Sequence, residues 1–121
     1  MKNPNQQNKA LKLLKEYRPA LWRKSTLEAV PRTNSLSLTA CLEQIQLTQA
    51  LVESLKNDIR LGEKMFWIIR ATFMTDKQPG DIDDILNDIA VKYEHVPRRT
   101  YFRLKKQALE RLNERIETIA R

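Results

Sequence analysis

The sequence predicts an all-α protein, and three observations predict it. Glycine occurs twice and proline five times in 121 residues, whereas Leu, Lys, Glu, Ile, Ala and Arg, which are comfortable in helices, dominate. Apolar residues recur at intervals of three and four over long stretches, the spacing of one helix face. The acidic run around Asp81 and the turn-forming stretches near Pro31, Gly62, Gly80 and Pro97 punctuate that rhythm where helices would start or stop. A chain of this length holds one compact core with room for an appended element.

Residues 8–24 place Leu11, Leu14, Tyr17 and Leu21 on one face, with Lys12, Lys15, Arg18, Arg23 and Lys24 around it, and predict a basic amphipathic helix. Pro19 is expected to end or kink it near Arg18. Residues 25–37, with Pro31 and a polar run, predict a linker. Residues 38–61 keep a three-four rhythm through Leu38, Leu42, Ile45, Val52, Leu55 and Ile59, with Gly62 as the stop. In residues 63–75 the apolar side chains Met65, Phe66, Trp67, Ile68, Ile69, Ala71 and Phe73 point in all directions, so this segment is expected at the centre of the core. Residues 76–80 predict a loop. Asp81 is placed to cap a helix whose inner face carries Ile82, Ile85, Leu86, Ile89 and Tyr93. Residues 94–97 form a turn, and the last helix runs over residues 98–120. The organisation that follows is a basic N-terminal helix and linker over 1–35, a connecting helix over 36–62, and a three-helix unit over 63–121. The core is expected around Trp67, Ile68, Ile89, Leu104 and Ala108.

Charge is segregated along the chain. Residues 1–35 hold eight basic and two acidic side chains, residues 36–94 six and ten, and residues 95–121 eight and three, for +6, −4 and +5. Basic ends around an acidic middle point to a polyanionic partner. One cysteine, Cys41, and one histidine, His95, exclude an internal disulfide, the usual zinc ligand sets and Cys/His or Ser/His/Asp catalytic groups. No metal or cofactor is expected. The aspartates Asp81, Asp83, Asp84 and Asp88 suit the first turns of a helix, where negative charge complements the dipole, better than a metal site. Cys41 is expected beneath a helix, Trp22 in packing, and His95 as a solvated or capping residue. The longest apolar run is too short to span a bilayer, and the polar start lacks a secretory hydrophobic region, so a cytoplasmic protein without membrane contact is expected.

The last helix carries the pattern most relevant to function. At 100° per residue from Tyr101, the apolar set Leu104, Ala108, Leu109, Leu112, Ile116 and Ile119 fills an arc from about 300° to about 80°. Opposite it lie Arg99, Arg103 and Lys106, at about 160°, 200° and 140°, followed along the same face by Glu110, Glu114 and Glu117. A helix that enters a DNA groove uses its first turns near bases and phosphates. Arg98, Arg99, Arg103, Lys105 and Lys106 are therefore the expected phosphate contacts, and Thr100 and Gln107 the expected base-edge readers. The alternative is a solvated helix with scattered ion pairs.

The run TYFRLKKQALERL, preceded by DILNDIAVKYEHVPRR, resembles the C-terminal signature of the ArpU-like phage transcriptional regulators, and KLLKEYRPALWRKS resembles their basic N-terminal stretch. The resemblance implies a helix-turn-helix similar to sigma-factor region 4, with residues 81–93 as the positioning helix and Arg98 onward as the recognition helix. It also implies regulation of phage or prophage late genes in a bacterial host. One departure is the turn, which has Glu94 and His95 ahead of Val96-Pro97 where such turns usually carry a glycine.

The expectation is a non-enzymatic protein that binds double-stranded DNA and controls transcription. Lys12, Lys15, Arg18, Arg23 and Lys24 would supply a second phosphate contact or a contact to RNA polymerase. Residues 38–61 would supply a homodimer seam through Leu42 and Leu55, or fold back on residues 63–75 within one chain. A small DNA-packaging subunit using the same basic helix is the alternative, and a nuclease with metal on the aspartates a third.

Overall fold

The computed structural model describes residues 9–30, 35–77 and 80–120. These form α1 (Lys9–Lys15), α2 (Tyr17–Ala29), α3 (Ser35–Glu53), a single 3-10 turn (Ser54–Asn57), α4 (Gly62–Phe73), α5 (Ile82–Lys92) and α6 (Arg98–Ala120). Among the described residues there is no strand. The fold is all-α, as the composition predicts. Among the described residues, no helix is long and apolar enough to cross a membrane. The expected N-terminal start at Asn8 and the linker residues 31–34 lie outside the described residues.

α4 occupies the middle. Met65, Phe66, Ile68, Ile69, Ala71 and Phe73 are all buried, and they meet Leu14 from α1, Val52 and Leu55 from α3 and the 3-10 turn, Ile89 from α5, and Leu104, Ala108 and Leu112 from α6. Side chains from both termini thus share one core, and the three stretches seen in the sequence pack as contributors to it. Of the five expected core positions, Ile68, Ile89, Leu104 and Ala108 are at most 1 % exposed. Trp67 is half-buried instead, stacked on Tyr93 with ring centroids 6.2 Å apart and set edge-on to Phe66. A smaller cluster of Tyr17, Ala20, Cys41 and Ile45 joins α2 to α3. Cys41 lies under α2 as expected and donates its thiol hydrogen to the Ala20 carbonyl at 3.0 Å.

Pro19 breaks the first helix earlier than expected. The break falls at Glu16, between α1 and α2, because a proline ring collides with the carbonyl four residues back, here that of Lys15. Pro19 itself sits in the first turn of α2, where a missing N–H costs nothing. Beyond it the helix continues to Ala29, through residues 25–29 of the expected linker. A Lys24–Glu28 pair at 3.6 Å and the packing of α2 on α3 support that extension.

The connecting helix also ends sooner than its rhythm indicates. α3 stops at Glu53, and Gly62 opens α4 rather than closing the helix before it. A Cβ at position 62 would overlap the Leu55 carbonyl oxygen. The glycine lets the start of α4 press against the 3-10 turn. Leu55 is fully buried within the chain and Ile59 is fully exposed, so these two positions of the sequence stripe do not share a face.

Two polar clamps tie distant segments together. Arg115 donates to Asp58 Oδ1 and to Ser54 Oγ, each at 3.0 Å, with Arg111 3.6 Å from Asp58 Oδ2. Between those two arginines on α6, Asn113 accepts the backbone N–H of Ala10, one of the α1 donors that no helical carbonyl can reach.

Candidate nucleic-acid interface

Two helices position the basic end of α6. Asp81 begins α5 with a reciprocal capping box, in which its carboxylate accepts the Asp84 N–H at 3.0 Å and Asp84 accepts the Asp81 N–H at 3.2 Å. Ile89 then anchors α5 in the core. The connection over residues 93–97 is fixed by Val96, 1 % exposed, by the Trp67–Tyr93 stack, and by a Lys64–Glu94 pair at 3.8 Å. Burial and the neighbouring Glu94 carboxylate raise the pKa of the Tyr93 phenol. No residue among those described has a positive φ. The connection therefore turns without left-handed backbone and has no use for the glycine that the resemblance leads one to expect.

α6 is held along its inner side by Tyr101, Leu104, Ala108 and Leu112, each at most 2 % exposed. The Tyr101 hydroxyl is 2.8 Å from the Thr72 hydroxyl. Burial raises the pKa of this phenol, with the Thr72 hydrogen bond opposing the shift. With that side fixed, Arg99, Arg103 and Lys106 all face solvent on the outer stripe. Gln107 is exposed and Thr100 half-buried on its flank. Glu110, Glu114 and Glu117 continue the stripe toward the C-terminal end, with Glu114 exposed and the other two half-buried.

The remaining expected contacts separate into different settings. Arg98 is committed to Asp83 in the first turn of α5, with Nη2 3.0 Å from Oδ1. Lys105 is turned inward. It is half-buried, with its ammonium 5.6 Å from the Phe73 ring centroid and 5.9 Å from that of Tyr101. Its angle on the helix, about 40°, already lay within the apolar arc.

The N-terminal cations are likewise divided. Lys12, Lys15 and Arg23 are exposed, and Lys24 pairs with Glu28. Arg18 is a structural clamp, contrary to the expectation of a DNA contact. Its Nε donates to the Thr75 carbonyl at 2.9 Å, and its Nη2 to the Thr72 carbonyl at 3.0 Å and the Thr75 hydroxyl at 2.8 Å. It thereby satisfies orphan carbonyls at the end of α4, where a cation also complements the dipole, and desolvation lowers its pKa. Trp22, expected in packing, is 58 % exposed. It lines an open groove of about 510 Å³ with Lys15, Pro19, Phe73 and Ile85.

One residue of this surface escaped the sequence reading. Phe102 is 51 % exposed, edge-on to Tyr101 at 5.1 Å between centroids. At about 100° it falls just outside the apolar arc, beside Lys106, and that offset was the available signal.

Among the described residues, no three His, Cys, Asp or Glu side chains gather to hold a metal ion. The aspartates of α5 are otherwise engaged, Asp81 and Asp84 in the capping box, Asp83 with Arg98, and Asp88 with Lys92 at 3.1 Å. His95 is exposed in the connection. The arrangement can present fixed positive charge and one aromatic edge to a polyanion. No family model, no curated protein and no solved structure matches the chain.

Proposed function

We propose that this protein binds double-stranded DNA through the first turns of α6 and regulates transcription, with α5, the connection at residues 93–97 and α6 acting as a helix-turn-helix. The observation that carries the reading is the division of α6, whose inner side is locked in the core while Arg99, Arg103 and Lys106 stand together on the outer face ahead of the glutamates. A rigidly held helix with cations confined to its N-terminal turns has the charge distribution of one that meets a duplex end-first and then leaves it. Phe102 adds an apolar edge of the kind that contacts thymine methyl groups. Lys15 and Arg23 provide a second phosphate contact. The resemblance to the ArpU-like regulators supports the narrower reading, control of phage or prophage late genes inside a bacterial cell, without enzymatic activity.

The test is binding of duplex DNA across a range of salt concentrations. Each phosphate contact removed should lower the log-log salt slope by about 0.9. Arg99→Ala, Arg103→Ala and Lys106→Ala should each weaken binding, and a base contact among them should cost about 1–3 kcal/mol mainly on the preferred sequence. Full affinity in the folded triple variant would overturn the reading.

A further inference from the structure

α3 is unlike every other described helix in its charge. In a protein with 31 % charged residues, its nineteen residues include no lysine or arginine and two carboxylates, Glu43 and Glu53. The inner side, with Cys41, Ile45, Thr48 and Val52, is buried against the rest of the molecule. The outer side carries a stripe of Leu36, Ala40, Glu43, Leu47 and Ala50, all exposed, with Leu36 at 79 % and Leu47 at 45 %. These positions fall within about 80° of arc, so they form one continuous strip. A solvated helix face would carry charge at most of them.

The strip runs into an apolar groove of about 330 Å³ between α1, α3 and the end of α6. Leu13, Leu47, Leu51, Ile116 and Ile119 line it, with Lys9, Lys12 and Glu16 on the rim. Ile119 is 62 % exposed there. Lys9, Lys12 and Glu43 enter none of the ion pairs among the described residues. The strip thus has the unpaired Glu43 carboxylate at its centre, and the groove edge is net positive, with Lys9 and Lys12 against the single carboxylate of Glu16.

We infer that this strip and groove are the contact surface for a second copy of the same chain, related by a two-fold axis near Leu47 and with the two α3 helices antiparallel. The positions select that occupant. Glu16, at the break after α1, accepts from the Gln44 amide of α3 at 3.3 Å, and Lys9, Lys12 and Leu13 of α1 share the groove with Leu47 and Leu51, which sets the two lysines near the Leu51 end. An antiparallel α3 centred on Leu47 sets Glu43 of one copy opposite Leu51 of the other, beside that copy's Lys9 and Lys12. The two-fold axis makes the match twice. Ala50, opposite Gln44 of the other copy, leaves room for close helix approach, and Ile119 closes the far end of the apolar surface. This dimer uses a different face from the seam through Leu42 and Leu55 that the sequence rhythm indicates, because Leu55 is consumed by the core.

The experiment is the solution mass of the full chain, measured without DNA by sedimentation equilibrium at micromolar concentrations. The wild type should have twice 14.3 kDa. Leu47→Glu and, separately, Ala50→Arg should give monomers with unchanged circular dichroism, since both positions are exposed. Glu43→Lys and Lys12→Glu should each weaken the dimer about tenfold, and the two together should restore it. A monomeric wild type, or a dimer that survives both Leu47→Glu and Ala50→Arg, would overturn the inference. Ile119 lies twenty residues beyond Arg99, about 30 Å along the axis of α6, and the measurement contains no DNA, so its failure leaves the DNA reading untouched.

Discussion

Asn113 accepts the backbone N–H of Ala10 at 2.7 Å, joining two residues that are 103 positions apart in the chain. The acceptor is 8 % exposed, and it satisfies one of the first N–H groups of α1 from a different helix. Asn113→Leu should leave that donor buried without a partner and lower stability by about 1–3 kcal/mol. Hydrogen exchange should accelerate in α1 before it does in α4. Uniform acceleration across the molecule would mean that the bond does not single out α1.

Asp83 competes for the recognition helix. Its pair with Arg98 is exposed on both sides, so Asp83→Asn should change stability by less than about 1 kcal/mol. It should nevertheless strengthen DNA binding and raise the salt slope by up to about 0.9, because a guanidinium is released next to the duplex and a negative charge is removed. Unchanged affinity would place Arg98 outside the contact.

Lys105 and Lys106 are neighbours in sequence with opposite surroundings, one over two aromatic rings and the other in solvent. Lys105→Ala should reduce thermal stability by about 0.5–1 kcal/mol with a small effect on DNA affinity. Lys106→Ala should do the reverse. Calorimetry and DNA titration on the pair would separate packing from phosphate contact, and equal DNA losses would show Lys105 reaching outward in the complex.

Tyr101 gives the fold an alkaline limit. A tyrosine in an unfolded chain titrates near about pH 10, and burial raises the value in the folded protein. The native state therefore keeps its proton at pH values where the unfolded chain releases it. Stability from this group is intact below about pH 10 and falls as the pH rises above it. In melting curves over that range, Tyr101→Phe should decline less steeply than the wild type. Parallel declines would assign the loss to other groups.

The sequence was most legible where a local rule had no competitor. Asp81 caps α5 because a carboxylate three residues ahead of an N–H needs no distant partner, and the all-round apolar pattern of α4 has no stable place except an interior. Gly62 was ambiguous in itself, since a glycine both ends helices and permits close approach, and only the Leu55 carbonyl decides between them. Arg18 and Trp22 depart from their expected settings for a related reason. The carbonyls that hold Arg18 belong to Thr72 and Thr75, more than fifty residues away, and no periodicity within α2 could point to them. The basic stripe of α6 was legible as a stripe. Its division into the outward Arg99, Arg103 and Lys106, the paired Arg98 and the inward Lys105 required the neighbours to be in place.

The contact between α1 and α6 also sets an order of events during synthesis. Leu14 packs in the same core as Leu112, and Ala10 waits for Asn113. A ribosome adding about 5–20 residues per second releases α1 several seconds before its partner helix exists. In that interval the apolar face of α1 has nothing native to cover it beyond the nearest helices. A nascent chain halted after α5 should consequently bind chaperones and yield to protease at its N-terminal end, and release of the final helix should abolish both.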